Sequence, residues 1–418
     1  MNIKKCFTIL LAFCTSQVTT GVIYITPDLD STPCLQQQCL TLTQLASSRV
    51  LLEESVVTLR LMSGNHYLNN QFSAANTQHF TMSTLSGVVS VTCQPLRHFT
   101  FEGMNHVSIS GISFMGCNGN RFLMVANLTL SNSNFYFCDN MFTPIEIIST
   151  STNIISSSFI GNFTSKHLMS VHDGAIKAVK SNMTIKGSSF IGSTAREGGS
   201  IYATQASKVF IENSTFDGNR AVRGGVLQAI SDSLISILEG SFTNNVAEYG
   251  AVLSIKDSNA TIIGSVFNNN TAYFQSDNSW TGTGGAMFIT GLSNVIIDSC
   301  DVSNNTAASG GGLFAHDCKV FVKQSIISNN HADNYGGALY CSPNSSIVSS
   351  NMITNTPQSH ENHQCNVFIR NNSRFMHNHA YNNGGGLYSD GNFLSFEMSR
   401  ISSNSANYGG GIYDYKCT

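Results

Sequence analysis

Two short motifs, Phe-x-x-Asn and Gly-Gly-Ala-Ile or a close variant, alternate along this chain and leave few folds open to it. Phe159 to Asn162 precedes Asp173-Gly174-Ala175-Ile176, and Phe216 to Asn219 precedes Gly224-Gly225-Val226-Leu227. Phe242 to Asn245 precedes Gly250-Ala251-Val252, and Phe267 to Asn270 precedes Gly284-Gly285-Ala286-Met287. The glycine motif continues through Gly336-Gly337-Ala338-Leu339 and Gly384-Gly385-Gly386-Leu387 to Gly409-Gly410-Gly411-Ile412. Its second glycines, read as Gly174, Gly199, Gly225, Gly250, Gly285, Gly311, Gly337, Gly385 and Gly410, fall mostly about 25 residues apart. A fixed period in that range belongs to stacked repeats, in which each unit buries its apolar face against its neighbours.

Residues 199–225 show what one unit must be. Gly199 to Ala203 alternates apolar and polar residues, Thr204 to Lys208 is a polar turn, and Val209-Phe210-Ile211 is a second short strand. After the turn Glu212-Asn213-Ser214, Thr215-Phe216 opens a third strand that ends at Asp217-Gly218-Asn219, and Ala221 to Gly224 leads into the next copy. Such short strands between turn formers exclude helices of useful length. A chain that turns three times per period must stack each strand on its counterpart one coil away. The expected fold is all-β, a parallel β-helix of roughly fifteen coils, ~70 Å long at the spacing of paired strands.

The motif residues then acquire physical roles. Each Phe points inward and stacks on the Phe of the next coil, worth ~2–3 kcal/mol of burial apiece. Each Asn sits at a corner, where it tolerates left-handed backbone angles and bonds to the Asn above it. The Gly pair supplies positive φ close to the core, and the following Ala and Ile or Leu fill the interior. A phosphate-binding reading of the glycines fails, because no Lys-Ser/Thr and no helix follows them.

The period breaks twice. Tyr273 to Thr283 is an insertion holding the single tryptophan, Trp280. Between Gly337 and Gly385 the spacing nearly doubles, which reads as a loop from Thr354 to Gln364 and an additional coil around Val367-Phe368-Ile369. Insertions of this kind map to surface loops and are candidate binding positions. Upstream, Val56 to Leu61, Val88 to Thr92, Val107 to Phe114 and Asn127 to Leu130 read as strands. Cys39 to Leu52 is apolar at near-helical spacing and suits a cap over the first coil. The expected organisation is a signal peptide over 1–21, an N-terminal cap over 22–55 and the β-helix over 56–418. No C-terminal cap is visible, as expected of a fragment or of an end covered by a partner.

Lys4-Lys5, the apolar run Phe7 to Phe13, and small residues at Thr19 and Gly21 form the parts of a secretory signal. No later stretch has ~18 consecutive apolar residues, so no membrane span is expected. Ten cysteines remain beyond the signal, an even number that suits an oxidising compartment. Cys93 with Cys117, and Cys341 with Cys365, are each 24 residues apart, close to one period, and can staple adjacent coils; Cys34 and Cys39 can close a small loop. Charged residues make up 11% of the chain and the net charge is -3, which offers no basic footprint for nucleic acid. Sequons at Asn127, Asn182, Asn213, Asn259, Asn304, Asn344 and Asn371 are candidate glycosylation sites; Asn182 and Asn259 read as turn residues. Asn162 and Asn269 also begin sequons, and Asn162 occupies a ladder position.

At the alternating Phe-x-x-Asn and Gly-Gly-Ala-Ile/Leu motifs, residues 155–418 resemble the repeat region of the chlamydial polymorphic membrane proteins, which are surface adhesins; the membrane β-barrel that ends those proteins is absent from this sequence. Tyr24-Ile25-Thr26-Pro27, Cys34 through Cys39-Leu40-Thr41-Leu42, Leu59 to Leu61 with Gly64 to Leu68, and Ser110 to Phe114 before Cys117 are similar to secreted β-helix repeat proteins of sponges and cnidarians. That resemblance spans nearly the whole chain and implies a right-handed parallel β-helix in the extracellular space.

Carbohydrate-active enzymes share this fold, so an active site has to be weighed. Lyases of the pectate type need clustered carboxylates for calcium and a basic residue, and glycoside hydrolysis needs two facing carboxylates. The acids here, among them Asp173, Glu197, Asp217, Glu248, Asp257, Asp301, Asp317, Asp333 and Asp390, are scattered singly along the sequence, although stacking can bring some together. His377 and His379, with His360 and His363 in the insertion, have a spacing that can hold a transition metal. His379, however, occupies a position that elsewhere holds Arg220, Val246, Thr306 and His331, which marks an exposed, solvated site. The expectation is a secreted, non-catalytic scaffold for adhesion, with extracellular glycans or cell-surface proteins as partners and no cofactor or metal. A polysaccharide lyase or hydrolase and a structural matrix element are the alternatives.

Overall fold

The computed structural model describes residues 21–26, 39–47, 56–75, 78–94, 97–117, 119–137, 143–161, 173–273, 275–276, 279–280, 282–342, 365–390 and 393–415. Residues 1–20 of the signal peptide expected over 1–21, Cys34, Asn162, Asn344 and the loop expected from Thr354 to Gln364 lie outside them. Nearly every element is a short strand paired in parallel with its counterparts one coil before and one coil after. Three long sheets result, faces A, B and C, of 15, 13 and 13 strands. One coil runs Lys208–Glu212 on face A, Thr215–Asp217 on face B and Leu227–Ala229 on face C. Among the described residues thirteen coils carry all three faces, where roughly fifteen were expected, and they extend about 60 Å at the sheet spacing. Among the described residues no helix is long and apolar enough to cross a membrane.

One coil of the difference comes from the long interval between Gly337 and Gly385. Asn366–Arg370 pairs directly with Lys319–Lys323, so among the described residues a single coil spans that interval, and Val367-Phe368-Ile369 belongs to it rather than to an additional one. Upstream, the run from Val107 to Phe114 divides at Gly111 (φ 74°) into His106–Ser110 on face A and Ile112–Met115 on face B. A six-residue helix, Leu42–Ser47, buries Leu42 and Leu45 and packs against Gly64–Leu68 and Phe72–Ala75. In the first insertion Gln275–Ser276 pairs antiparallel with Ser279–Trp280.

A fourth ladder of six short strands lies between faces B and C, from Arg220–Arg223 through Val246–Tyr249 to His379–Ala380. The sequence reading took Ala221 to Gly224 as a connection. Most of these strands bury a single small residue, such as Ala221 or Ala332, which is too little for an alternation signal.

Along each strand the alternation of side chains sets the core. Val209 and Ile211 point inward and Lys208, Phe210 and Glu212 outward, and one apolar core runs from Ile25 to Leu387. On face B, Phe114, Phe135, Phe159, Phe190, Phe216, Phe242 and Phe267 form a column with ring centroids 4.4–5.1 Å apart and planes within 14°.

Each corner of the coil has its own device. Between face B and the fourth ladder, Asn219, Asn245, Asn270, Asn305, Asn330, Asn378 and Asn404 form a ladder. Each Nδ2 donates to the next Oδ1 at 2.9–3.0 Å and to the carbonyl of residue 190, 216, 242, 267, 302, 327 or 375 one coil back. The left-handed backbone expected of these asparagines belongs instead to the residue before each of them: Gly218, Asn244, Asn269, Asn304, Asn329, His377 and Ser403 all have positive φ. The ladder asparagine keeps ordinary angles so that its amide can point inward.

Two serine ladders, unforeseen from the sequence, hold the corners on either side of face A. Ser157, Ser188 and Ser214 stack at one, and Ser233, Ser258 and Ser293 at the other, each Oγ accepting the backbone N–H of its neighbour at 3.1–3.2 Å. Cys300 and Cys318 occupy these same ladder positions and are buried free thiols. Burial pushes the Cys300 thiol up to about 11 and the Cys318 thiol up to about 12. A raised thiol pKa means the native state holds its proton where the unfolded chain releases it. The contribution is complete below pH 9.0, the ordinary value, and is lost between there and about 12. We expect the Cys300→Ser/Cys318→Ser protein to lose less stability than wild type between pH 9 and 11 in urea unfolding, because the serine hydroxyl does not titrate there. Parallel pH curves for the two proteins would contradict this.

The glycine corner also needs one revision. Gly250 has φ 63° and aligns with Gly224 and Gly284, the first members of their pairs, so Ala251 takes the second position in that coil. Positive φ falls on the first glycine alone. At the second, a Cβ on Gly225 would lie 2.1 Å from the Ala251 carbonyl oxygen, so close approach between coils leaves no room for a side chain at Gly225, whereas the methyl group of Ala251 is accommodated one coil on. Gly285, Gly311, Gly337 and Gly385 are placed like Gly225, each against a carbonyl of the next coil. Gly174 lacks positive φ, and a Cβ there would meet the Gly198 carbonyl; Gly410, in the last described coil, would meet the Asn404 carbonyl at 3.0 Å.

Candidate functional site

The glycine corner shapes the outer surface as well as the core. The residue before each pair ends the fourth ladder or sits beside it, and the second residue of each face-C strand points outward just past the turn. Their side chains converge across the corner and form a furrow along the axis. Its wall is Asp173, Glu197, Arg223, Tyr249, Thr283, Ser309, Tyr335, Asn383 and Tyr408, each the bridge partner of the next. Its floor runs from Arg121 through Glu146, Lys177, Tyr202 and Gln228 to Phe288, Phe314, Tyr340, Tyr388 and Tyr413.

The first half of the furrow is ionic, and it gathers acids that look isolated in sequence. Arg121 Nε meets Glu146 at 3.0 Å, and Lys177 Nζ lies 3.8 Å from Glu146 and 2.8 Å from Asp173. Glu197 Oε1 accepts from Arg223 Nη1 at 2.7 Å, while its Oε2 is buried without a hydrogen-bond partner. Burial pushes the Glu197 carboxyl up, with Arg223 opposing. The Tyr202 hydroxyl is pushed up by burial and then by Asp173 and Glu197, and Glu248 is raised mainly by burial. Gln228 is 6% exposed and its Oε1 is also unpartnered.

The second half is aromatic. The Arg223 guanidinium lies 5.8 Å from the Tyr249 ring centre, at the junction. Beyond it Phe288, Phe314, Tyr340, Tyr388 and Tyr413 stack at 4.9–5.5 Å. Tyr335 leans from the wall onto Tyr388 at 5.2 Å and Tyr340 at 6.2 Å. Phe288, Phe314 and Tyr340 are buried, Tyr335, Tyr388 and Tyr413 are half-buried, and Tyr408 is 68% exposed. Burial pushes the Tyr388 hydroxyl up to about 12, with Asp390 and Tyr335 adding to it, so it stays a neutral hydrogen-bonding group.

His379 is not brought to His377. It stacks on His331 one coil away, at 5.2 Å, and bonds Ser405, while His331 meets Asp333 at 3.1 Å; His360 and His363 lie outside the described residues. A cavity of about 340 Å³ beside this pair is lined by Thr271, Ala272, Thr306, Ala307 and Asp333. Among the described residues no group of three or more His, Cys, Asp or Glu is placed to hold a metal ion.

Cys93 and Cys117 form a disulfide with Cα atoms 4.9 Å apart that joins adjacent coils as expected, whereas Cys341 and Cys365 form another at 6.1 Å that spans the corner between the consecutive described strands Leu339–Ser342 on face C and Asn366–Arg370 on face A. Of the candidate glycosylation residues, Asn127, Asn182 and Asn259 are exposed at the starts of face-A strands, where Asn182 and Asn259 had been read as turn residues. Asn213, Asn304 and Asn371 are exposed at left-handed corners.

A family model described as "right handed beta helix region" matches residues 201–368. The chain folds as a right-handed parallel β-helix. Among solved structures it is similar to the periplasmic alginate epimerase AlgG, at 10% identity over 86% of this chain and 82% of that one, with a TM-score of 0.46. It is also similar to the Dettilon tailspike protein, at 10% identity over 86% of this chain and 62% of that one, with a TM-score of 0.28. No curated protein matches it.

Proposed function

We propose that this β-helix is an extracellular recognition scaffold that binds glycan or protein ligands along the furrow. The observation that carries this reading is the half-exposed tyrosine group Tyr335, Tyr388 and Tyr413, seated on a rigid, buried aromatic floor. Tyrosines held this way offer large amphipathic contact area at little entropic cost, which is the chemistry favoured at recognition surfaces. Disulfides fit an oxidising compartment, and the resemblance of the repeats to those of surface adhesins points the same way. In a glycan-array and cell-binding screen we expect a ligand for the wild-type chain and a Tyr388→Ala variant weakened about tenfold or more, as for a central aromatic contact. No ligand for wild type, or full binding by the variant, would count against the reading.

A second reading has its own support in the ionic half. Glu197, partly buried with a raised pKa and one oxygen free of hydrogen bonds, stands beside Arg223 and near Tyr202, which are groups that can bind a uronate carboxylate and move a proton. Depolymerisation or epimerisation of a polyuronate by wild type, lost in Glu197→Gln, would place an enzyme ahead of the scaffold.

A further inference from the structure

The opposite side of the molecule carries a second surface, which the furrow reading does not use. Lys319–Lys323 and Asn366–Arg370 are consecutive face-A strands in which Val320, Val322, Val367 and Ile369 are buried. Their outward residues therefore stack in register, Phe321 on Phe368 and Lys323 on Arg370. Across the corner, on face B, Arg374 is in register with Arg400. The described residues from Lys319 to Tyr415 contain five Lys or Arg, and all five lie on faces A and B.

On face A the charge is partly offset, because Glu397 faces Arg370 at 3.6 Å and Asp298 is in register with Lys323; on face B, Asp301 is in register with Ile326, one strand away from Arg374. Like charges in adjacent register positions, ~4.8 Å apart, are unfavourable for the sheet itself. The Arg374–Arg400 pair on face B makes sense energetically when an anion lies across it, with Lys323 and Arg370 beside it. The phenyl rings reinforce this. Phe321 and Phe368 stack at 4.6 Å with planes 7° apart, so their faces cover one another and their edges are turned outward. Ring edges are electropositive, which suits carboxylate or sulfate oxygens rather than the face-on packing of a neutral sugar.

We propose that this surface binds an anionic polysaccharide, its chain following the coils and its carboxylate or sulfate groups meeting Lys323, Arg370, Arg374 and Arg400. A linear polymer with a regular charge matches cations repeated at the coil spacing. The chain as a whole has 24 acidic against 21 basic residues, so attraction is confined to the patch and does not extend to polyanions in general.

The test is chromatography and titration of the full chain on immobilised heparin, alginate, dextran and single-stranded DNA at low salt. Expected are retention on heparin, alginate or both, release by salt, and passage through dextran. Retention on heparin alone identifies sulfate as the group recognised, and on alginate alone, carboxylate. The variant Lys323→Gln/Arg370→Gln/Arg374→Gln/Arg400→Gln should bind at least tenfold more weakly with an unchanged thermal midpoint, while Tyr388→Ala should bind as wild type does. If the quadruple variant does not fold, Arg374→Gln/Arg400→Gln, which alters only exposed residues, should still weaken binding severalfold. Passage of wild type through both acidic glycans, undiminished binding by the variants, or preference for DNA overturns the proposal. Loss of glycan-array binding in Tyr388→Ala with heparin binding intact separates the two surfaces.

Discussion

Replacing Asn270 by alanine is expected to destabilise the chain by about 3–5 kcal/mol, more than almost any other polar substitution in it. Asn270 Oδ1 accepts both the backbone N–H and the Nδ2 of Asn245 at 3.0 Å, and its own Nδ2 donates to the Phe242 carbonyl at 3.1 Å and to Asn305 Oδ1 at 2.9 Å. The site is 0% exposed, so water cannot replace any of these partners. Each buried polar group left without its partner costs about 1–3 kcal/mol, and the alanine leaves a void as well. Aspartate is no rescue, because its second oxygen would face the Phe242 carbonyl and Asn305 Oδ1 where the amide donates. The neighbouring Asn269 is the control. It is exposed, carries the positive φ of 58°, and bonds Asn244 at the surface, so Asn269→Ala should cost only about 1 kcal/mol. Urea unfolding of the two variants decides the matter, and equal losses would show that the ladder is not what holds this corner.

Much of the architecture is legible in the sequence because the strictest positions are those with one physical solution. Phe216, Phe242 and Phe267 share an inward position, and Gly224 and Gly284 share a backbone angle that other residues adopt only under strain. The serine ladders escaped notice because serine is abundant in this chain. Their signal is nevertheless present, as a small residue two places before the face-B aromatic in Ser188 to Phe190, Ser214 to Phe216 and Ser265 to Phe267. The furrow was harder still. Asp173 and Glu197 are acids, Arg223 a base and Tyr249 an aromatic, so no single motif links the four, yet each immediately precedes a glycine of the corner and each meets the next one coil away. The positions were fixed by the repeat; the contacts depend on register in the third dimension. The same holds for the cationic surface, where residues 323 and 370 meet although the sequence interval between them is nearly twice the usual period.

The first glycine of the corner should prove even less replaceable than the ladder asparagine. In Gly198, Gly224, Gly250, Gly284, Gly310, Gly336, Gly384 and Gly409 the φ angle lies between 56° and 71°. At Gly284 an added Cβ would stand 2.2 Å from the Met287 carbonyl oxygen. That oxygen cannot retreat, since Met287–Thr290 is held between Leu253–Lys256 and Leu313–His316 on face C. Gly284→Ala therefore combines a left-handed backbone cost of about 1–2 kcal/mol with an overlap that only rupture of the face-C pairing relieves. Gly103→Ala separates the two contributions: its φ is 62°, and an added Cβ would meet nothing within 4 Å. We expect Gly103→Ala to lower stability by about 1 kcal/mol and Gly284→Ala by more than about 4 kcal/mol, read as shifts in urea midpoint. Because Thr283 forms part of the furrow wall, the Gly284 variant should also lose furrow binding, whereas Gly103→Ala should keep it. Similar losses for both variants would mean that the corner is governed by backbone angle alone and that the crowding between Gly284 and face C relaxes freely.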